Sequence, residues 1–244
     1  MKDSLDVLAV GAHPDDVELA AGGTLCLLAR QGCAVGALDL TAGELGSRGT
    51  VALRQTEAQT AARIIGLTVR EQLGLPDGDI AADTANRNKL IGVLRRLRPR
   101  VVLTHPAECR HPDHIDTAFL VRRACFYSGL RRIDTGQEPW RPYHVLHFEE
   151  VQPFRPTVIV DVSDTWDQRT RALQAYASQF YNPAYSSDEP ETFVSSRGFL
   201  QWVEARARTH GHAIGATYGE AFQYHGIAGT GDLMQWLQRG ERLR

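Results

Sequence analysis

Apolar and polar positions switch between two periods along the first half of the chain. Residues 5–10 form a short, mostly apolar run that stops at Gly11, as expected for a strand buried on both faces. Over residues 16–30 the apolar Leu19, Leu27 and Leu28 stand among small residues, which predicts a helix. Gly22 and Gly23 are poor helix formers, so they mark close packing or an approach to the backbone. Residues 35–40 are a second apolar run, followed by a Gly-rich polar loop at 43–50. Ala58, Ala61, Ala62 and Ile65 have helical spacing within 51–65, and Gly66 ends that helix. A strand at 69–73, a basic-faced helix at 86–97 closed by Pro99, a strand at 101–104 and a helix at 115–128 complete the alternation.

The second half is less regular. Residues 145–149 and 157–162 predict two more strands. Asp164 is placed to cap a helix whose apolar face is Trp166, Thr170, Leu173, Ala177 and Phe180. Residues 182–197 carry two prolines and predict a long loop or lid, with a helix at 199–209 and a short amphipathic segment around 233–237. Alternating strands and helices predict an α/β, Rossmann-like fold: a mostly parallel sheet with helices on both faces, in one three-layer domain over 1–244. Its core spans about 1–165, and 166–244 covers the site. In such sheets ligands bind beyond the carboxyl ends of the strands.

That edge is where the chemistry sits. The strand ending at Gly11 runs into His13-Pro14-Asp15-Asp16, and the strand ending at Thr104 leads to His111-Pro112-Asp113-His114. His13 and Asp16 are close enough to share one metal, and His114 completes a set of two imidazoles and one carboxylate. Three protein ligands and an open position suit a catalytic zinc, which acidifies its water and polarises a carbonyl. Asp15 is then free to act as general base. His111, if protonated, can stabilise an oxyanion, with Asp113 orienting that ring and holding it charged. These roles describe acyl-group hydrolysis.

Blander readings exist for each part. A lone His-Pro-Asp can be a turn, and a lone Asp16 a helix cap; random turns seldom place both patterns at two strand ends. Arg54 and Arg110 can bind an anionic group through a planar fork, or be solvated arginines. His105 either borders the pocket or ends its strand structurally, and Cys109 reads as a bystander thiol. Two histidines and a carboxylate also suit ferrous iron in an oxygenase, although such chemistry has no use for the flanking base. A non-enzymatic nucleotide-binding module is disfavoured because the first strand leads to no G-x-G-x-x-G.

Composition changes little. Lys and Arg number 27 against 29 Asp and Glu, which argues against a nucleic-acid partner. No stretch approaches membrane-spanning length or a signal core, and four scattered cysteines form no disulfide framework, so a cytoplasmic protein is expected.

The segments Ala12-His13-Pro14-Asp15-Asp16 with Glu18 and Gly22-Gly23-Thr24, and Arg110-His111-Pro112-Asp113-His114, resemble the LmbE-like (PIG-L) family of metal-dependent N-acetylglucosaminyl deacetylases. Similarity extends to 53–58 and 218–222, while 199–215 resembles the branch that deacetylates N-acetylglucosaminyl malate in bacillithiol biosynthesis. The resemblance implies a zinc-dependent N-deacetylase acting on a small amino sugar, with Fe2+ as the alternative ion. It implies His13, Asp16 and His114 as metal ligands, Asp15 as base, His111 and Asp113 as the oxyanion pair, and Arg54 and Arg110 as contacts to sugar and malate. Another N-acetylglucosamine conjugate or a chitooligosaccharide is the alternative substrate. Members often form homo-oligomers. Phe199 falls where some relatives carry a pocket tyrosine, which leaves Tyr218 or Tyr185 to supply a hydroxyl.

Overall fold

The computed structural model describes residues 4–185, 188–227 and 229. A seven-stranded sheet runs in the order β3-β2-β1-β4-β5-β7-β6. Its strands are β1 (Val7–Gly11), β2 (Val35–Asp39), β3 (Val69–Gln72), β4 (Val101–Thr104), β5 (His144–Phe148), β6 (Val158–Asp161) and β7 (Gly219–Tyr224). The first five are mutually parallel, and β7 is antiparallel to both neighbours. Pleating divides the buried strand residues between two cores. Val7 and Ala9 of β1 join one, while Leu8 and Val10 join the other. On the first face lie α1 (Asp16–Arg30), α2 (Val51–Ile65), α5 (Trp166–Gln174) and α6 (Arg197–Ala213); on the second lie α3 (Thr84–Leu97) and α4 (Pro112–Tyr127). This is the expected three-layer arrangement.

Local signals explain most boundaries. The Thr50 hydroxyl accepts from Leu53 N at the start of α2, and Gly66 ends that helix with φ 89°, where a side chain would be strained. Asp83 caps α3 and Ser196 caps α6 in the same way. Among the described residues no helix is long and apolar enough to cross a membrane.

Three elements differ from expectation. Helix α4 begins at Pro112, because proline's fixed φ suits the first helical position, so the second polar burst is itself the first turn. Asp164 sits in a 3₁₀ turn, Ser163–Thr165, ahead of α5 and caps nothing; Phe180 lies beyond α5, yet it packs with Trp166 and Leu173 in one core. Strand β7 escaped the period reading because Gly219-Glu220-Ala221-Phe222 shows no apolar alternation. All four residues are buried, and the Glu220 carboxylate accepts from Gly23 N and Thr24 N, both at 2.7 Å. A Cβ on Gly23 would come within 2.9 Å of that carboxylate, which accounts for the glycine in mid-helix. The amphipathic segment around 233–237 lies outside the described residues.

Candidate metal centre

Strands β1 and β4 are adjacent although α1, α2 and α3 separate them in sequence. Strand order reverses between them, so the loops leaving their carboxyl ends part and open a crevice. His13, Asp15 and Asp16 come from the β1–α1 turn, and His111, Asp113 and His114 from the start of α4. The turn is tied by the Asp16 carboxylate, which accepts from His13 N at 2.8 Å. Asp15 has φ 118°, a sparsely populated conformation for a residue with a side chain.

The histidines are arranged around Asp16. His13 Nδ1 lies 3.5 Å from Asp16 Oδ2, and His114 Nε2 lies 3.4 Å from Asp16 Oδ1. The far nitrogen of each ring meets carboxylates. His13 Nε2 is 3.0 Å from Asp77 and 3.2 Å from Asp113, and His114 Nδ1 is 2.6 Å from Glu150. Imidazoles that ligate metals donate their other N–H to a carboxylate in this way. Donors within 4.8 Å of one another fall into two groups, Asp16–His105–His114–Glu150 and His13–His111–Asp113. The expected ligand set thus spans both groups and meets at Asp16. A zinc or ferrous ion fits the donor chemistry of His13 Nδ1, Asp16 and His114 Nε2.

Electrostatics agree with a site built for a cation. Burial pushes the Asp16 carboxyl up, but the His114 and His105 rings outweigh it and hold it well below the usual range. Glu150, opposed in the same way by burial, is held down at about 2 by His114 and His105. Burial disfavours charge on His13 and His114, yet the surrounding carboxylates raise both well above an ordinary histidine. Buried carboxylates this close together need a proton or a cation to compensate them.

Asp15 is different. Burial dominates, so its carboxyl is pushed up to about 7 despite Arg54, with the Asp16 charge adding to the rise. Arg54 donates to Asp15 Oδ2 at 3.0 Å, to Pro14 O at 2.7 Å and to Gly43 O at 3.2 Å. Arg54, expected to meet substrate, lines the cleft, and its buried guanidinium also supports the Asp15 turn because α2 packs directly behind that loop. Arg110 remains exposed at the cleft, over the Phe193 ring.

Asp113 lies beside His111 but makes no hydrogen bond to it. Asp113 accepts from Gly78 N at 2.9 Å and faces His13, while His111 Nδ1 is buried without a hydrogen-bond partner. Burial, then the His114 and His13 charges, lowers the His111 pKa, so the ring is not held charged. The Tyr218 hydroxyl bonds Glu204, the Tyr185 hydroxyl bonds Glu189, and neither residue lines the cleft. Phe199 is buried behind Phe180. The cleft encloses about 350 Å³, with Asp15, His111, Arg110 and Leu45 among its walls.

Sequence reasoning missed Glu150 and Asp77 and left His105 undecided. His105 Nε2 accepts from Ala12 N at 3.0 Å, which puts its proton on Nδ1, 2.9 Å from Glu150. A common signal existed: each of the three follows the carboxyl end of a parallel strand, β4, β5 or β3.

Comparison with known proteins places this geometry. The PIG-L family model, GlcNAc-PI de-N-acetylase, matches residues 8–125. Diacetylchitobiose deacetylase of Thermococcus kodakarensis is 27% identical over 235 residues, covering 91% of this chain and 84% of that protein. 4-Oxalmesaconate hydratase of Pseudomonas putida is 30% identical over 189 residues, covering 70% and 73%. The crystal structure of a conserved protein from Thermus thermophilus superposes with a TM-score of 0.84 at 37% identity, covering 93% of this chain and 98% of that one. The chain belongs to the PIG-L family.

Proposed function

We propose that this member of the PIG-L family hydrolyses the N-acetyl group of an N-acetylglucosaminide, releasing acetate and a free amine. The observation that carries the reading is the convergence of His13, Asp16 and His114 beside Asp15 in an open cleft. His13 Nδ1, Asp16 and His114 Nε2 would hold zinc, with ferrous iron as the alternative. When bound, the ion supplies a water acidified toward neutral pH and polarises the amide carbonyl. Asp15 removes a proton from the attacking water, a task for which a carboxyl near pH 7 is well matched. As the new C–O bond forms and the C–N bond breaks, Asp15 returns that proton to the departing amine nitrogen. His111, neutral, offers an N–H to the carbonyl oxygen as negative charge develops there. Asp113 and Asp77 fix the His13 ring, Glu150 fixes His114, and Arg54 positions Asp15.

The aglycone is the finer point. N-acetylglucosaminyl malate is the conjugate implied by the resemblance of residues 199–215, and with that substrate the enzyme would act in bacillithiol biosynthesis. Arg54 and exposed Arg110 both line the cleft and would meet the sugar and the malate carboxylates. The test is free-amine release from N-acetylglucosaminyl malate and from N-acetylglucosamine, with metal content measured on the same sample. The expected result is metal-dependent turnover that favours the conjugate. Equal turnover of both substrates would remove the malate assignment. Full activity in metal-stripped protein would sink the mechanism, and water addition to an unsaturated diacid without amine release would move the chain to the hydratase side of its relatives.

A further inference from the structure

Gln179 lines the cleft and is only 7% exposed, yet the proposed reaction gives it no task. Its neighbours fix which end of the amide is free. Nε2 donates to Arg48 O at 2.8 Å, and a carbonyl can only accept, so nitrogen and oxygen cannot be exchanged. The second N–H meets Ser178 Oγ at 2.9 Å, whose own proton goes to Glu57 Oε2 at 2.7 Å. Ser178 N donates to the other oxygen of that carboxylate at 2.8 Å. Both N–H groups are thus spent on the protein. Oε1, on the far side of the amide carbon, has no hydrogen-bond partner among the described residues. Its surface is not closed off, so a ligand in the cleft can reach it. The frame around it is tight: Gly49, with φ 70°, passes so close that a Cβ there would meet Ser178 Oγ at 2.7 Å. Gly49 N is held in turn by the Glu189 carboxylate at 2.9 Å.

The acetamido group has to lie beside His13, Asp16 and His114, which come from the β1–α1 turn and α4. Gln179 stands on a different wall, after α5 and against the 43–50 loop. What reaches it is the body of the sugar, whose hydrogen-bond donors are hydroxyls. We propose that Gln179 Oε1 accepts from one hydroxyl of the amino sugar and so selects a pyranose that carries a hydroxyl at that position. The inference rests on the deacetylase reading for the identity of the ligand. An acceptor already fixed by two bonds to the protein needs little ordering when the sugar binds. A sugar lacking that hydroxyl expels the water from Oε1 and leaves the oxygen unpaired, which is how a site built for an OH rejects an analogue without one. Arg54 and Arg110 cannot take over this task, because a guanidinium offers donors alone.

The test crosses variants with sugars. Zinc-loaded parent, Gln179→Met and Ser178→Ala are each given N-acetylglucosamine and the analogues that lack one hydroxyl apiece, and amine release is read as kcat/KM. Affinity of the metal-free proteins for the same sugars is read by NMR titration. For one analogue the parent should lose roughly tenfold, the worth of one hydrogen bond to a fixed partner. Gln179→Met should lose about as much on the complete sugar and be indifferent to that same deletion. Every other deletion should cost parent and variant alike. Ser178→Ala leaves Gln179 in place but frees its amide to turn, so it should fall between the two; it also serves if Gln179→Met does not fold. A purely structural Gln179 would lower every sugar by one common factor, and such additive losses would overturn the proposal. Unchanged kcat/KM in Gln179→Met would do the same. If the zinc-loaded parent releases no amine, the proposed function falls, and the cycle in NMR affinities then decides this contact by itself; no sugar binding at all would remove the contact too.

Discussion

The two His-Pro-Asp tripeptides stand at adjacent strand ends and fold differently. After β1 the chain takes φ 118° at Asp15 before α1 begins; after β4, Pro112 opens α4 directly and Asp113 is already helical. The strained turn delivers a carboxylate to Arg54 and the cleft, where burial lifts it to about 7. The regular turn delivers its carboxylate to His13 and Gly78. The same three residues therefore yield the proposed base in one place and a brace in the other. Backbone entry and the packed neighbour decide the role, since an isolated tripeptide has neither.

The largest break in this comparison should come from the α4 side. His114→Ala removes a proposed ligand, so bound metal and turnover should both be lost in a metal assay and an amine-release assay; retained metal would remove His114 from the ligand set. On the β1 side, Asp15→Asn should keep the metal while turnover falls by about 10²–10⁴-fold, the usual worth of a positioned base. If both variants lose metal alike, the two turns do not divide the labour as described.

A smaller effect tests the support of the rings. Glu150→Gln should weaken metal affinity by about 10–100-fold, as expected when the partner of a ligating imidazole is changed. Turnover should recover at saturating metal, and an unchanged affinity in competition with a chelator would make Glu150 a bystander.

The smallest effect is thermodynamic and uses metal-free protein. Asp15 titrates near 7 when folded, against about 3.9 unfolded, so the folded state binds more protons between those values. Stability contributed by this group must therefore fall as pH rises from about 4 to 7. Asn cannot ionise. The melting temperature of Asp15→Asn should gain on that of the parent across this window and hold its lead above it, by about 2–4 °C for each kcal/mol. A constant difference from pH 4 to 8 would show that burial does not raise this carboxyl.

Hydrophobic period and turn chemistry are local properties, and what depends on them was legible in the chain. Buried strands such as Val7–Gly11, the helix stop at Gly66, and the position of both polar bursts at strand ends all follow from a few adjacent residues. From these the α/β class and the set His13, Asp16 and His114 could be written down. Local pattern is silent where a residue's role depends on which strand lies beside which. Glu150 reaches His105 and His114 because β5 pairs with β4, and Asp77 reaches His13 across 64 positions because β3 sits on the same sheet edge. Arg54 becomes a partner of Asp15 because α2 packs behind the turn. Strand β7 exists because Glu220 finds two backbone donors in α1, about two hundred positions away. Short stretches of adjacent residues put these groups at the carboxyl edge of the sheet. Tertiary structure alone decided which of them touch, because a buried charge takes its meaning from the partner that compensates it.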